Sequence, residues 1–279
     1  MRRLLLCSTF LLFAACPVLP ASSKPYQGKT LVVVTCHADD FSIFAGGSIA
    51  TLIAQGYRAY LVRVTDDEKD GLIDPPHVAA INDRQVRDVA KTIGIQAIYS
   101  LNFKNDELQR VPETLIRDRI LYFIRKLHAD TIFTFDPYAR YGEENPDHLV
   151  TARAAEDAAR HAWNPQYCPL QLRHGLHTQL VLDGYYWARG PIEVNKVFDT
   201  ARTENIKIAA LNQQLNMLRA PGQVEEVRKA DQAIGAIYGY RTAEICHHIW
   251  YLAPTAGNHP SADAVMHPPL NKGRPGATR

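Results

Sequence analysis

The sequence has few of the features that mark several protein classes. It contains five cysteines in 279 residues, and two of them, Cys7 and Cys16, fall in the N-terminal stretch. The other three have no regular spacing, which excludes a disulfide scaffold as the basis of the fold. The formal net charge is only +2 and Lys and Arg form no dense run, so the electrostatic footprint of a nucleic-acid-binding protein is missing. The fold must rest on a core, and 46% hydrophobic residues are enough for one.

The first 23 residues, MRRLLLCSTFLLFAACPVLPASS, predict an export signal. Two arginines precede an apolar segment that is too short to span a bilayer comfortably, and small residues follow it. Cleavage after Ala21 is one outcome, and lipidation of Cys16 in a lipobox-like FAAC is another; in a third, the segment stays as an anchor helix, which Pro17 and Pro20 disfavour. We therefore expect an exported protein, periplasmic or extracellular, that touches a membrane only through this segment or through a lipid on Cys16.

Residues 29–253 alternate between apolar runs typical of strands and segments typical of helices. This alternation predicts a Rossmann-like α/β domain: a mostly parallel sheet with helices on both faces, plus a C-terminal strand/helix extension. The tail, residues 254–279, is rich in Pro, Gly, Asn and His and is expected to be loosely ordered. The predicted strands are 31–36, 58–65, 96–101, 130–135, 179–190 and 192–199, and the predicted helices are a segment opened by Gly46 and Gly47, 84–94, 112–128, 149–162 and 203–218.

Polar side chains follow the first and the fourth predicted strand. His37, Asp39 and Asp40 come directly after the apolar run LVVVT, and the loop DPYARYGEENPDHL (136–149) follows the fourth strand. Parallel sheets of this kind bind ligands beyond the carboxyl ends of their strands, so we expect the two loops to face each other. Burying an imidazole with two carboxylates costs several kcal/mol unless something compensates, and a bound cation is the usual compensation.

A metal-binding interpretation assigns these side chains as follows. His37 and Asp40 supply one nitrogen and one oxygen ligand, and His148 in NPDH is the best candidate for the third. Two histidines and one carboxylate are typical of a catalytic zinc site. Asp39 would then take a proton from water activated by the metal. The alternative is that Asp39 and Asp40 cap a helix and that His148 only begins one.

Four motifs, in order, resemble those of the LmbE/PIG-L family of zinc-dependent de-N-acetylases. They are CHADDFSIFAGG, LVRVTDDEKDG, ADTIFTFDP and NPDH, and RTAEIC (241–246) adds a weaker echo. The resemblance covers residues 31–159 and implies a deacetylase domain within 29–253. It places the family's metal ligands on His37, Asp40 and His148 and its general base on Asp39. It also implies a Zn²⁺ cofactor, with another divalent metal as the alternative.

The sequence departs from the family pattern at two informative positions. Ala38 replaces a proline, and Asn145 stands where the first histidine of His-Pro-Asp-His is expected. In the family that histidine is implicated in stabilising the tetrahedral intermediate or protonating the leaving amine. Asn145 can donate a hydrogen bond to an oxyanion but cannot act as an acid. Asp39, once protonated, would have to deliver the proton.

Three further residues are candidates for substrate binding. Arg84 could grip a polar substrate group, although a solvated helix arginine is the simpler explanation, and Tyr141 lies in the expected rim loop, where Tyr138, Arg140, Glu143 and Glu144 share its polar character. Asp147 could orient a metal-binding histidine or cap the helix at His148. The adjacent His247 and His248 have no ligand partner at a useful spacing, so we expect structural roles for them.

The set of candidate metal ligands and the family resemblance together predict a metal-dependent hydrolase that removes an acetyl or other acyl group from an amide nitrogen. The resemblance alone implies a small N-acylated, sugar-like substrate. One alternative is an amidase that uses the same metal centre on a non-sugar amide. Another is an exported carbohydrate-binding domain whose catalytic site has decayed. No nucleic-acid partner is expected.

Overall fold

The computed structural model describes residues 24–72, 77–138, 143–187, 194–218, 220 and 222–251. The predicted export signal and the predicted loose tail lie outside these residues. Among the helices within the described ranges, none is both long and apolar enough to cross a membrane.

The described chain forms one seven-stranded sheet in the order β3-β2-β1-β4-β5-β7-β6. The first five strands in this order are mutually parallel, while β7 runs antiparallel to both of its neighbours. The predicted Rossmann-like, mostly parallel sheet is therefore confirmed. The strands are β1 Thr30–Thr35, β2 Arg58–Thr65, β3 Ala97–Phe103, β4 Thr131–Phe135, β5 Asp183–Trp187, β6 Lys196–Asp199 and β7 Ala243–Trp250.

Helices cover both faces of the sheet, as a parallel sheet requires. Three of them, α1, α2 and α6, contact one another on one face, whereas α3 packs against α4 on the other. The strand between these layers, β1, is buried along its whole length. The helices are α1 Asp40–Ala54, α2 His77–Ile93, α3 Glu113–Leu127, α4 Pro146–His161, α5 Pro169–Arg173, α6 Glu204–Leu211 and α7 Gln223–Tyr238, with a 3₁₀ turn at Leu108–Arg110.

Helix α1 begins at Asp40, so the expectation that Gly46 and Gly47 open it is wrong. Both glycines lie inside the helix, where they allow a close approach by other elements. A Cβ at Gly47 would lie 2.8 Å from Thr200 Cγ2 and 3.1 Å from Glu244 Oε1. The glycine pair thus reflects packing of α1 against the C-terminal third of the chain and not a helix start.

The C-terminal third differs from the prediction in two other ways. Helix α6 ends at Leu211 and not near residue 218, because the chain turns there and buries the side chain of Gln214 against Ser42 (Gln214 Oε1 to Ser42 Oγ 3.0 Å). Helix α7 and strand β7 were predicted only as an unspecified extension. Strand β7 inserts between β5 and β6 and completes the sheet.

Candidate active site

His37, Asp40 and His148 converge at the carboxyl edge of the sheet, meaning the edge at which the parallel strands end. His37 follows β1, Asp40 begins α1, and His148 lies in the first turn of α4, 111 residues from His37 in sequence. His37 Nδ1 lies 3.0 Å from His148 Nε2, and one oxygen of Asp40 is 3.2 Å from that same nitrogen. The other oxygen of Asp40 is 3.4 Å from His37 Nδ1. All three side chains are buried.

The neighbouring backbone and side chains fix this arrangement. The carboxylate of Asp40 turns back to accept a hydrogen bond from the backbone N–H of His37 (2.7 Å). Glu143 Oε2 lies 3.0 Å from His148 Nδ1, the nitrogen that faces away from the cluster. A carboxylate behind a ligating imidazole is the usual way to fix its ring orientation. The ring of Phe135, the last residue of β4, stacks on His148 with centroids 4.1 Å apart.

The electrostatics of the cluster are those of a cation site. Burial alone would raise the pKa of Asp40, but His148 and His37 hold that pKa well below its usual range. Burial opposes charge on His148, yet Asp40 raises the pKa of this imidazole to about 9. A carboxylate thus keeps its charge against two imidazole nitrogens that lie 3.0 Å apart. Three convergent donors of this kind fit a divalent metal ion.

Asp39 stands next to the cluster without belonging to the ligand set. It is the N-cap residue of α1, but its side chain makes no capping hydrogen bond. The capping alternative considered for Asp39 therefore does not hold, and Asp40 likewise bonds to His37 and not to its own helix. Burial, followed by the charge of Asp40, raises the pKa of Asp39 well above its usual value. This carboxyl group can both accept and return a proton.

Asn145 caps α4. Its side-chain oxygen accepts a hydrogen bond from the backbone N–H of Asp147 (2.9 Å), and its own N–H donates to Glu143 Oε1 (3.0 Å). With the oxygen engaged in this way, the side-chain NH₂ is the group that Asn145 can offer to a substrate. An amide NH₂ can donate a hydrogen bond to a developing oxyanion.

Asp147 is fully buried and serves the neighbouring loop. Its two carboxylate oxygens accept hydrogen bonds from the backbone N–H groups of Asp106 (2.7 Å) and Leu108 (3.1 Å). It does not cap α4, because Asn145 does, and its burial corrects the expectation of direct substrate contact. A carboxylate oxygen of Asp147 also lies within 4.8 Å of a ring nitrogen of His37. Asp147 therefore lies beside the candidate ligands while it holds the backbone of the loop at Asp106 and Leu108.

The other predicted substrate-binding residues are less informative. Arg84 is exposed on α2, as expected for a solvated helix residue. Tyr141 and Arg140 fall outside the described residues. Tyr138 is half-exposed, and its hydroxyl donates to Glu156 Oε1 (2.5 Å) and accepts from Arg160 Nη2 (2.9 Å).

Sequence reasoning missed Asp67 and Arg63, which together support the loop that carries the ligands. Asp67 Oδ1 accepts hydrogen bonds from the backbone N–H of Ala38 (3.2 Å) and from Thr65 Oγ1 (3.1 Å). Arg63 Nη1 lies 2.9 Å from Asp67 Oδ2 and is itself buried. Asp67 has a φ of +54°, a left-handed conformation that is uncommon outside glycine. The acidic run TDDEKD was the available signal, but it does not indicate which aspartate turns inward.

His247 and His248 contact buried aspartates, on opposite faces of β7. His247 Nδ1 lies 3.1 Å from Asp136 Oδ2, just beyond β4, and His248 Nε2 lies 2.8 Å from Asp183 Oδ2 at the start of β5. Spacing could not reveal either pair, because the partners are 111 and 65 residues away in sequence.

A profile of the GlcNAc-PI de-N-acetylases, PIG-L, matches residues 32–159. This segment is similar to the PIG-L family. The PIG-L segment contains His37, Asp39, Asp40, Asn145 and His148, so the whole cluster lies within it. PIG-L deacetylases are metal-dependent, in agreement with the donor set described above.

Individual relatives extend the likeness beyond the PIG-L segment. The diacetylchitobiose deacetylase of Thermococcus kodakarensis is 25% identical over 194 residues, which cover 68% of this chain and 70% of that protein. The structure of the N,N'-diacetylchitobiose deacetylase from Pyrococcus horikoshii superposes with a TM-score of 0.71 at 24% identity, over 82% of this chain and 86% of that one. The 4-carboxy-2-hydroxymuconate hydratase GalB of Pseudomonas putida shares the fold at 18% identity, with a TM-score of 0.62, over 81% of this chain and 98% of that one.

Proposed function

We propose that this protein is a metal-dependent hydrolase that removes an acetyl group from the amide nitrogen of an N-acetylated amino sugar or a close analogue. The observation that carries the proposal is the convergence of His37, Asp40 and His148, next to the carboxyl group of Asp39, which makes no capping hydrogen bond. The match to the PIG-L family supports the reaction type. The relatives named for deacetylation of diacetylchitobiose support the substrate class.

His37, Asp40 and His148 would hold the metal, and a set of two imidazoles and one carboxylate suits Zn²⁺. The ion would supply Lewis acidity, which polarises a carbonyl oxygen and lowers the pKa of a bound water. The carboxylate of Glu143 lies 3.0 Å from the outer ring nitrogen of His148, and the N–H of His37 holds the carboxylate of Asp40 in place.

The remaining steps belong to side chains of this chain. Asp39 accepts a proton from the attacking water as its oxygen bonds to the amide carbon. The NH₂ of Asn145 donates a hydrogen bond to the developing oxyanion. When the carbon–nitrogen bond breaks, Asp39 returns the proton to the leaving amine. The products are acetate and the free amino sugar, and Asp39 ends in its starting state.

The two alternatives lead to different expectations. An amidase for a non-sugar amide would use the same side chains and differ only in the substrates it accepts. A decayed carbohydrate-binding domain would have no reason to retain three buried, mutually supporting ligands and a base, which argues against it.

Metal analysis combined with an activity assay tests the proposal. The full chain, purified without chelator, is expected to carry one divalent ion and to release acetate from N-acetylglucosamine and diacetylchitobiose. His148→Ala should lose both the ion and the activity. His161→Ala is the matched control, because His161 lies at the other end of α4 and pairs there with Asp157; it should keep both.

Acetate release by His148→Ala at the parent rate would overturn the proposed metal centre. Turnover of simple N-acetyl amides without turnover of any amino sugar would instead favour the non-sugar amidase.

A further inference from the structure

The edge of the sheet opposite the candidate site has a surface with no assigned role. We call it the amino edge, because the parallel strands begin there. Both ends of the described chain meet at this edge: Arg58 N–H bonds to Lys29 O (2.9 Å) just ahead of β1, and Tyr251 N–H bonds to Leu182 O (2.9 Å) just ahead of β5. Whatever covers the amino edge therefore also lies next to both chain ends.

Three large apolar side chains are exposed in the connection between α4 and β5. Trp163 is 55% exposed, Leu170 56% and Leu180 46%. The connection lies at the amino edge, because Gln179 N–H bonds to Ala162 O (3.0 Å) and Leu182 N–H bonds to Asp130 O (2.8 Å) at the start of β4. Exposed apolar side chains that lie together, and not one exposed residue alone, are typical of an interaction surface.

A buried arginine fixes this connection in place. Arg125, near the end of α3, is fully buried and donates hydrogen bonds to the backbone oxygens of Ala162 (3.1 Å), Asn164 (2.9 Å) and Tyr167 (2.9 Å). It also donates to the side chain of Gln171 (3.1 Å). The loop is therefore anchored on both sides of Trp163 and next to Leu170. These contacts hold the loop in a conformation in which the three apolar side chains are exposed.

Residues 158–182 contain no Asp or Glu, but they include Arg160, Arg173 and three histidines. Arg160 and His161 pair with Glu156 and Asp157 of α4, so Arg173 is the arginine of this segment outside those pairs. Arg173, His174 and His177 are exposed. The two acids at the starts of the neighbouring strands are already paired: Asp130 with Lys29 (3.0 Å) and the buried Asp183 with His248 (2.8 Å). We call Trp163, Leu170, Leu180, Arg173, His174 and His177 the amino-edge surface.

We propose that the amino-edge surface rests on an anionic lipid membrane. Aromatic and aliphatic side chains mixed with cations are the composition that partitions into the headgroup region, where tryptophan is enriched and anionic lipids attract Arg. Residues 1–23, apolar apart from two arginines near their start, join the described chain at Lys24, next to this same edge. A membrane that holds this segment would therefore meet the amino-edge surface and leave the candidate site facing away from the lipid.

Quenching of tryptophan fluorescence by brominated lipids tests this proposal independently of enzymatic activity. The full chain has three tryptophans, Trp163, Trp187 and Trp250, and Trp187 is buried. The full chain is placed in phosphatidylcholine and phosphatidylglycerol vesicles with or without brominated acyl chains. We expect clear quenching in the parent, and we expect Trp163→Phe to lose more than half of it. Because quenching reports the depth of Trp163, it distinguishes contact by this surface from anchoring by the N-terminal segment alone.

A charge-insertion pair completes the test. Leu170→Glu with Leu180→Glu should reduce the quenching of Trp163, because it places carboxylates against anionic headgroups. Ile237→Glu is the matched control: Ile237 is 69% exposed, but it lies near the end of α7, close to the residues that lead into β7 at the carboxyl edge, and its replacement should leave quenching at the parent level.

Three results would overturn the proposal. The first is equal quenching of the parent and Trp163→Phe. The second is unchanged quenching in the double variant. The third is that Trp163 is shielded from solvent even without lipid and that the double variant abolishes this shielding. The last result would assign the surface to a second copy of the chain or to residues 252–279, and ultracentrifugation would separate these two occupants.

Discussion

Asp39 and Asp40 are adjacent residues with the same side chain and opposite pKa shifts. His148 and His37 hold the pKa of Asp40 low, whereas burial and the charge of Asp40 raise that of Asp39. Carboxyl groups whose environments push their pKa values apart usually divide the chemistry between them. The permanently charged one suits a ligand role, and the one that can hold a proton suits the role of the base.

Replacing Asp39 with asparagine tests this division. Asp39→Asn keeps the shape of the side chain but removes the proton acceptor, so kcat should fall about 10²- to 10⁴-fold while metal content stays at the parent level. The measurements are kcat for acetate release and metal content per chain. Asp88→Asn, on the exposed side of α2, is the control and should match the parent. A kcat within a few-fold of the parent in Asp39→Asn would show that another group acts as the base.

Asp67 carries a second prediction at the residue scale. It pairs with the buried Arg63 and accepts the N–H of Ala38. Asp67→Ala leaves the guanidinium of Arg63 with less compensation, so the free energy of unfolding in urea should fall by about 3 kcal/mol. The pair of Asp66 with the exposed Lys104 provides the contrast, and Asp66→Ala should cost much less. Equal losses of unfolding free energy in both variants would mean that the buried Arg63–Asp67 pair contributes no more to stability than the Asp66–Lys104 pair.

At the scale of elements, a buried charge cluster joins α1 to the C-terminal third of the chain. Lys207 Nζ on α6 lies 2.7 Å from Asp231 Oδ2 on α7 and 2.7 Å from Glu244 Oε1 on β7. The carboxylate of Glu244 also accepts the N–H groups of Gly47 (2.9 Å) and Ser48 (2.6 Å) in α1. Four elements are thus held together around one lysine.

Removing that lysine should be costly. Lys207→Met leaves two buried carboxyl groups without their cation, and we expect the free energy of unfolding to fall by about 3–5 kcal/mol. Chemical denaturation monitored by far-UV circular dichroism measures it. Lys91→Met, at an exposed position in α2, should have little effect. A loss below 1 kcal/mol for Lys207→Met would show that the carboxyl groups are neutral in the folded protein.

The same cluster makes stability depend on pH. Burial, only partly offset by Lys207, raises the pKa of Asp231 to about 7, against about 3.9 for an aspartate in an unfolded chain. The folded state therefore holds a proton that the unfolded state releases, so the stabilisation is complete below pH 4 and is lost as the pH rises through 7. In Asp231→Asn, the free energy of unfolding should fall less steeply between pH 4 and 7. An unchanged slope would exclude Asp231 as its source.

Local sequence patterns predicted most of the parallel half of the sheet. Strand β2 has the predicted bounds, and the central strands lie within one or two residues of theirs. The sequence could predict that His37, Asp40 and His148 lie together, because strand ends in a parallel sheet share one edge. The antiparallel insertion of β7, and with it the roles of Glu244 and His247, could not be predicted, because pairing between distant strands leaves no periodic signal. Helix α1 was misplaced because a close-packing glycine and a helix-opening glycine look alike in sequence.

At the scale of the whole molecule, metal binding should couple to folding. The three ligands come from the residues after β1 and from the first turns of α1 and α4, so the donor set exists only in the folded chain, and binding stabilises that state. Chelator treatment should lower Tm by about 5–10 °C, which is the shift expected when a ligand at about a hundred times its Kd is removed from a domain of this size.

Added Zn²⁺ should restore Tm after dialysis. Differential scanning calorimetry measures it, and His148→Ala should respond to neither chelator nor zinc. A parent protein that is equally indifferent to both would contradict the proposed centre.

The contact between Glu244 and the backbone of α1 bears on how the molecule can be divided. A chain cut ahead of Ala243 would retain every proposed ligand and the proposed base, yet the inner side of the helix that starts with Asp40 would lose its carboxylate partner, and the ammonium group of Lys207 would lose one of its two counterions. The excised segment 32–159 is therefore not expected to be a self-sufficient catalyst. Catalytic activity is therefore expected to depend on residues near both ends of the polypeptide, and a break in the backbone ahead of Ala243 should lower turnover.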